Sequence, residues 1–428
     1  MRTLCHDLPA STPGEEVVLE GWVQRRRQLA RVTFLVVRDR SGLAQVVLPA
    51  GAAVPPEETV VRVTGTAAAN AQAPGGVEVT DALVELLTEP AATPPAELWR
   101  PGLDVSLPTL LDHAPVLWRH PAQRARWELA AASLRGFRAS LDALGFTEVT
   151  TPKIVGTATE SGANVFPVDW FGREAYLAQS PQFYKQQLVG VFERVYEVGP
   201  VFRAEPHDTV RHLAEYRSLD VELGFIGDHR DVLAVLRDVL SGMVDAVRAE
   251  EAAVSRTGAL PPVVPDEVPV IRFADALALV GAPADEPDLA PEHERALGAW
   301  ALAEHGSDFL AVEGYPMAKR PFYTHPWTGN RSAAPSTTAS NSFDLLFRGL
   351  ELVTGGQRLH RASDYERAIR ARGEDPATYD AYLQAFRHGM PPHGGFAIGL
   401  ERWVARLVGA ANVREVTLFP RDLNRLTP

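Results

Sequence analysis

The chain has 428 residues, 46% of them hydrophobic and 22% charged, with a net charge of −12. This is the composition of a soluble globular protein of one or two large-cored domains; no run approaches a membrane span, and no signal-peptide pattern opens the chain. The single Cys5 excludes an internal disulfide and a cysteine-rich zinc site, a reducing cytoplasm is the expected setting, and the acidic balance means that any nucleic-acid partner must meet a local basic patch.

The first elements are short. The alternation predicts strands over Val17–Val23, Val32–Arg38, Leu43–Leu48, Val60–Thr66 and Val77–Val84, a spacing that points to a small barrel. Arg25, Arg26, Arg27, Arg31, Arg38 and Arg40 cluster within it, with Phe34 on a strand among them. The patch fits either a solvated basic loop beside a core phenylalanine or a platform on which single-stranded bases stack. Repeated prolines from Pro90 to Pro108 read as a hinge. The expected domains are 1–89, a linker 90–120, and a large domain 121–428.

A helix follows over Arg124–Leu144, with Leu134, Phe137, Leu141 and Leu144 on one face, and then Glu148-Val149-Thr150-Thr151-Pro152. Gln179-Ser180-Pro181-Gln182 leads to Lys185, one of three lysines in a chain that otherwise uses arginine. Residues 199–225 are two strand-like runs around a polar loop, and Ser218–Leu223 alternates with period two. Arg203, Glu205, Asp220 and Glu222 sit on the runs, Arg211 and His212 in the loop; such a hairpin is either a surface hairpin with ordinary ion pairs or a grip for a triphosphate and an acid. The stretch Trp327–Ser342 is rich in Gly, Ser, Thr and Asn and reads as a surface loop or a lid. Glu351–His360 holds Thr354 and Arg358. Gly394–Trp403 reads as a glycine-flanked strand turning straight into a helix, with Gly399, Leu400, Glu401 and Arg402 at the turn, where helix N–H groups face an anion.

Taken together, F-R-x-E with R-H-x-x-E, the later G-x-G-x-E-R and the Glu148–Pro152 segment resemble motifs 2, 3 and 1 of the class II aminoacyl-tRNA synthetases. Q-S-P-Q-x-x-K-Q and E-L-x-T-G-G-Q-R resemble the matching blocks of the aspartyl-tRNA synthetases, in the compact form of archaea and eukaryotes that some bacteria carry as a second type. The resemblance spans about Leu4 to Pro428 and implies an α+β multidomain fold. An N-terminal OB-fold barrel would precede an antiparallel sheet flanked by helices, assembled as a homodimer through the Arg124–Leu144 helix.

It implies ATP, L-aspartate and tRNA as substrates, with Mg²⁺ held by Glu351 and Thr354. Arg203 would bind the α-phosphate and the amino-acid carboxylate, Glu205 the adenine amine, Tyr216 the base, and Arg211, His212 and Arg402 the β- and γ-phosphates. Leu213, Gly399, Leu400 and Glu401 complete the ATP set. Arg203, Glu351 and Arg402 are the catalytic candidates. Glu160 (in a loop, 156–167, expected to close over the amino acid), Gln182 and Asp220 would orient the ammonium, Thr354 would add to the aspartate site, and Lys185 and Arg358 would meet the side-chain carboxylate. Two such cations would be left unpaired by asparagine, a costly state that should exclude it. Gln24, Arg26, Phe34, Gln45 and Glu78 are the anticodon candidates. Strict aspartyl enzymes often carry histidine after Gly-Trp-Val; Gln24 stands there, so charging of both tRNA-Asp and tRNA-Asn is expected, unless Gln24 makes a selective bond of its own. Two other readings stay open: an asparaginyl-tRNA synthetase or amide-forming relative, and a non-catalytic RNA-binding paralogue.

Overall fold

The computed structural model describes residues 1–157, 165–204, 206, 208–327 and 339–427. The chain forms two compact units, Met1–Arg124 and Ala125–Pro428. No helix among the described residues is long and apolar enough to cross a membrane.

In the first unit β1 (Glu16–Gln28), β2 (Val32–Arg38), β3 (Leu43–Pro49), β4 (Val60–Ala69) and β5 (Val77–Leu86) close into a barrel of order β1-β2-β3-β5-β4. Alternation drives it: Val17, Leu19, Leu35, Val37, Val46, Val61, Val63 and Val79 fill the interior while their neighbours face out. One irregularity matters for function. A bulge between Val23 and Arg25 shifts the register of β1, so that Arg25 lies opposite Val36 and Arg27 opposite Phe34. The proline-rich stretch clusters with this unit; it continues into α1 (Leu107–Asp112) and α2 (Ala114–Leu117), and Leu98, Leu110 and Leu117 form a small apolar core of their own.

The second unit is built on an eight-stranded sheet. After the helix α3 (Pro121–Ala143), its strands are β6 (Thr147–Glu148), β10 (Arg194–Phe202), β11 (Glu215–Gly224), β12 (Val270–Arg272), β13 (Phe309–Glu313), β14 (Ser342–Phe347), β15 (Leu350–Gln357) and β16 (His393–Gly399). Their order is β12-β13-β14-β15-β16-β11-β10-β6, antiparallel from β13 through β10. A small sheet, β7 (Ile154–Val155), β8 (Pro167–Trp170) and β9 (Arg173–Leu177), lies between β6 and β10 in sequence. The helices are α4 (Gln182–Phe192), α5 (His229–Arg248), α6 (Glu251–Thr257), α7 (Phe273–Leu279), α8 (Pro291–His305), α9 (Ala362–Ala371), α10 (Asp380–Arg387) and α11 (Leu400–Val408).

One face of the sheet is sealed by α5, whose stripe Val232, Leu236, Val239, Leu240, Met243 and Val247 is buried, and by α3 and α11. Asp228 caps α5 and Asp231 returns the bond, a capping box. The indole of the fully buried Trp403 donates to Ser133 Oγ at 2.9 Å, which ties α11 to α3. Phe137 and Leu141 of the expected apolar face are core residues, whereas Leu134 and Leu144 are only partly buried against it.

Candidate active site

The site begins with strand register. Asp344, Thr354, Ala397, Asp220 and Glu197 are paired in turn across β14, β15, β16, β11 and β10 and form one row over the sheet. Two residues along, Ser342, Gly356, Gly395 and Glu222 form the next row on the same face, because side chains alternate with period two. The small residues at the centre let neighbouring groups approach closely there. A Cβ at Gly395 would stand 2.2 Å from Glu222 Oε2 and 2.0 Å from Val221 O.

One end of this face is a dense ion network. Lys185 Nζ, from α4, lies 2.9 Å from Asp220 Oδ1 and 3.5 Å from Glu222 Oε2. Arg358 Nε lies 3.0 Å from Glu222 Oε1, and its Nη2 donates to Gly395 O at 3.0 Å. Ser218 Oγ donates to Asp220 Oδ2 at 2.6 Å. All four charged groups are buried. This corrects the expected basis for rejecting asparagine. The cations are not left unpaired without a substrate carboxylate, because Asp220 and Glu222 already neutralise them. Selectivity must come from where fixed donors point. Gln182 is buried, and its Nε2 has no hydrogen-bond partner among the described residues. Beneath the network, Gln186 Oε1 accepts from Tyr382 OH at 2.6 Å, and burial pushes His393 down to about 4.

The other end is an open cleft. Arg203, Arg211, His212, Leu213, Tyr216, Glu351, Thr354, Gly399, Glu401 and Arg402 line it. Leu400 does not: its side chain enters the core. A second bulge, between Leu345 and Leu346, pairs Leu346 with Glu351. Arg402 Nη1 donates to Glu351 O at 3.0 Å and stands 3.7 Å from its Oε1, while Thr354 Oγ1 donates to the carboxylate at 3.2 Å. Burial raises the Glu351 carboxyl, but Arg402 and Arg320 outweigh it and hold the group below its ordinary range. Arg211 Nη1 donates to Glu294 Oε1 at 3.0 Å, His212 Nδ1 lies 2.6 Å from Thr209 Oγ1, and the Arg203 guanidinium lies 5.7 Å from the centre of the Tyr216 ring. Glu401 is pushed up to about 7 by burial, and both its oxygens accept from the Arg217 backbone N–H, at 3.0 and 3.1 Å. Glu160 and Glu205 lie outside the described residues, as do residues 328–338 of the expected loop.

Sequence reasoning missed Asp344, Glu294 and the anchoring role of Glu222. Asp344 is buried, pairs with Arg320 at 2.9 Å, and has an Oδ1 without a partner among the described residues. Its position opposite Thr354 is a register fact that local pattern does not carry.

On the barrel, Arg25, Val36, Gln45 and Glu78 form one row across β1, β2, β3 and β5, flanked by Arg27 opposite Phe34. Gln45 Nε2 donates to Glu78 Oε2 at 2.8 Å, and the Arg27 guanidinium lies 5.7 Å from the Phe34 ring centre. Arg26 is exposed. Gln24 is off this row. It is the bulge residue, buried, with Nε2 donating to Leu98 O at 2.8 Å and Oε1 accepting from Arg38. The alternative of a selective bond from Gln24 to a base is thus met by internal bonds instead.

An antiparallel sheet carrying a charged row beside a strand-to-helix turn, with an OB-type barrel in the same chain, is the plan of a class II aminoacyl-tRNA synthetase. Residues 107–423 match the family of class II tRNA synthetases for D, K and N, and residues 17–84 match the OB-fold nucleic acid binding domain. The chain belongs to that synthetase family and is a ligase. It is 46% identical to the aspartate–tRNA(Asp/Asn) ligase of Thermus thermophilus, covering 100% of both chains, and 45% identical to that of Deinococcus radiodurans, covering 100% of this chain and 99% of the relative. Among solved structures it superposes on the asparaginyl-tRNA synthetase of Pyrococcus horikoshii, bound to asparaginyl-adenylate, with a TM-score of 0.90 at 28% identity over 100% of both chains. The aspartyl-tRNA synthetase of Entamoeba histolytica gives 0.86 at 26% identity, over 100% of this chain and 93% of that one.

Proposed function

We propose that this synthetase is a cytoplasmic homodimer that activates L-aspartate with ATP and loads it onto both tRNA-Asp and tRNA-Asn. The observation that carries the choice of amino acid is the pair Lys185 and Arg358, two buried cations aimed by Asp220 and Glu222 onto the face of the sheet. A substrate side-chain carboxylate accepts from both. A carboxamide must turn its own N–H₂ toward a cationic donor, leaving a buried polar group unmatched. Fold alone does not separate the two specificities, since solved structures of either kind superpose on this chain, whereas the curated relatives at 45–46% identity are aspartate–tRNA(Asp/Asn) ligases.

The first step is in-line attack of the aspartate α-carboxylate on the α-phosphorus, with pyrophosphate leaving. Arg203 neutralises the α-phosphate and the attacking carboxylate, and Tyr216 stacks against adenine. Arg211, His212 and Arg402 take the β- and γ-phosphates. Gln182 and Asp220 orient the ammonium, with Glu160 as the remaining candidate. The donor set at Glu351 and Thr354 is hard oxygen, with the Glu351 carboxylate held deprotonated by Arg402, and Asp344 adds a buried oxygen without a hydrogen-bond partner among the described residues; these residues would hold Mg²⁺, which would supply positive charge against the triphosphate. The tRNA ribose hydroxyl then attacks the mixed anhydride. The Phe34 face of the barrel, with Arg25, Arg26, Arg27, Gln45 and Glu78, receives the anticodon by stacking and edge contacts.

Dimerisation is supported by a groove beside α3, lined by Trp127, Ala130, Leu134, Leu418 and Phe419; a dimer mass in light scattering at micromolar concentration checks it. Pyrophosphate exchange with aspartate and asparagine in parallel tests the amino acid, with asparagine expected at least about a hundredfold worse. Charging purified tRNA-Asp and tRNA-Asn transcripts side by side tests the relaxed choice, and a preference for tRNA-Asp above about a hundredfold refutes it.

A further inference from the structure

The backbone of α8 touches the turn that precedes Glu351. That turn, Arg348-Gly349, has φ of 49° and 67°, the pattern of a tight hairpin between β14 and β15. A Cβ at Gly298 would stand 2.5 Å from Gly349 N, and one at Gly349 would stand 2.9 Å from Arg295 Cα. Only glycine on both sides permits this approach, and its result is chemical. It brings the buried carboxylate of Glu294 against two parts of the nucleotide cleft at once. Glu294 Oε2 accepts the backbone N–H of Glu351 at 2.9 Å. Glu294 Oε1 accepts from Arg211 Nη1 at 3.0 Å.

We infer that Glu294 is a positioning residue for the triphosphate half of the site. This rests on the roles proposed above for Arg211 and Glu351. One carboxylate sets the loop cation and the strand carboxylate relative to each other, across 83 and 57 residues of sequence. Arg211 lines the cleft while so held, and Glu294 engages it through Nη1. The contact therefore pre-orders the guanidinium for phosphate and does not withdraw it. Arg406 and the Gly349 backbone also face Glu294, and neither lines the cleft. In Glu294→Gln one oxygen becomes a donor, so one of the two bonds is lost with the charge. Glu294→Asp keeps the charge but falls short of one partner.

The test is calorimetry on the full chain with the non-hydrolysable β,γ-imido analogue of ATP plus Mg²⁺, and separately with L-aspartate. Glu294→Gln should weaken the nucleotide about tenfold and raise the Mg²⁺ needed for half-saturation, with L-aspartate affinity kept within about twofold. Glu294→Asp should fall between the two and carries the same test where the glutamine variant does not fold. Nucleotide affinity within about twofold of wild type, or equal losses for nucleotide and aspartate, overturns the inference. The nucleotide and Mg²⁺ readouts do not depend on which amino acid is activated. Failure of aspartate-dependent pyrophosphate exchange counts against the aspartyl reading alone, and a wild-type chain that binds no nucleotide overturns both.

Discussion

The two ends of the catalytic face solve opposite problems with the same residue types. At the proposed amino-acid end, Lys185, Asp220, Glu222 and Arg358 have side chains no more than 8% exposed, stand on or directly beside regular elements, and neutralise one another. At the nucleotide end, Arg211, Arg402 and Glu351 are 25%, 24% and 38% exposed and come from a loop, a helix start and a bulge. The buried end holds its described charges fixed against one another, as suits a pocket that must tell a carboxylate from a carboxamide. The open end holds charges in readiness for a large, mobile polyanion, and needs Glu294 to keep them aligned.

The largest effect that would break this contrast is expected from Lys185→Met. Removing one member of a buried ion network leaves Asp220 and Glu222 with excess charge, a cost of about 3–5 kcal/mol. Aspartate-dependent exchange should fall by about a thousandfold while binding of the ATP analogue stays within a few-fold. Equal loss of both affinities in calorimetry would show that the two ends are not separable.

The next effect concerns the foundation of the buried end. His393 stays neutral in the folded chain down to about 4 because burial disfavours its charge. The unfolded chain takes up that proton near pH 6.5, so stability is complete above 6.5 and drains away as pH falls from 6.5 to 4. At about 1.4 kcal/mol per unit the loss is about 3 kcal/mol. Denaturant melts of wild type and His393→Gln over this range should show a steeper slope for wild type; parallel slopes would remove His393 from the account.

At the open end, Arg402→Ala should raise KM for ATP about a hundredfold and leave KM for aspartate nearly unchanged, sharpening the division from the other side. An equal rise in both would contradict it. The smallest effect belongs to the barrel. Phe34→Ala should weaken tRNA binding about tenfold through one lost stacking contact, without changing pyrophosphate exchange, as filter binding and exchange assays would report.

The face of the sheet was partly legible beforehand. Period-two alternation located Ser218–Leu223, and the glycines of Gly394–Gly399 located the strand that runs into α11. Lys185 and Arg358 were found as a pair. Their counter-charges were not, because Lys185 and Asp220 are 35 residues apart, Arg358 and Glu222 are 136 apart, and only register brings them together. Gln24 shows the same limit. Alternation places it beside exposed arginines, but a bulge of one residue turns it inward. Glu294 lies in the first turn of an unremarkable helix, and its importance comes from two glycines that let that helix reach a turn. Composition and period describe single elements well; they do not report which elements touch.

The row Asp344–Thr354–Ala397–Asp220 also acts as a ruler. Neighbouring strands are about 4.8 Å apart, so Thr354 and Asp220, two strands from each other, are separated by about 10 Å along the hydrogen-bonding direction. The interval between the nucleotide and amino-acid ends is thus set by backbone ladder spacing, which no side-chain substitution can lengthen. Ala397 marks its midpoint, and a larger residue there would occupy the gap across which carboxylate and phosphorus have to meet.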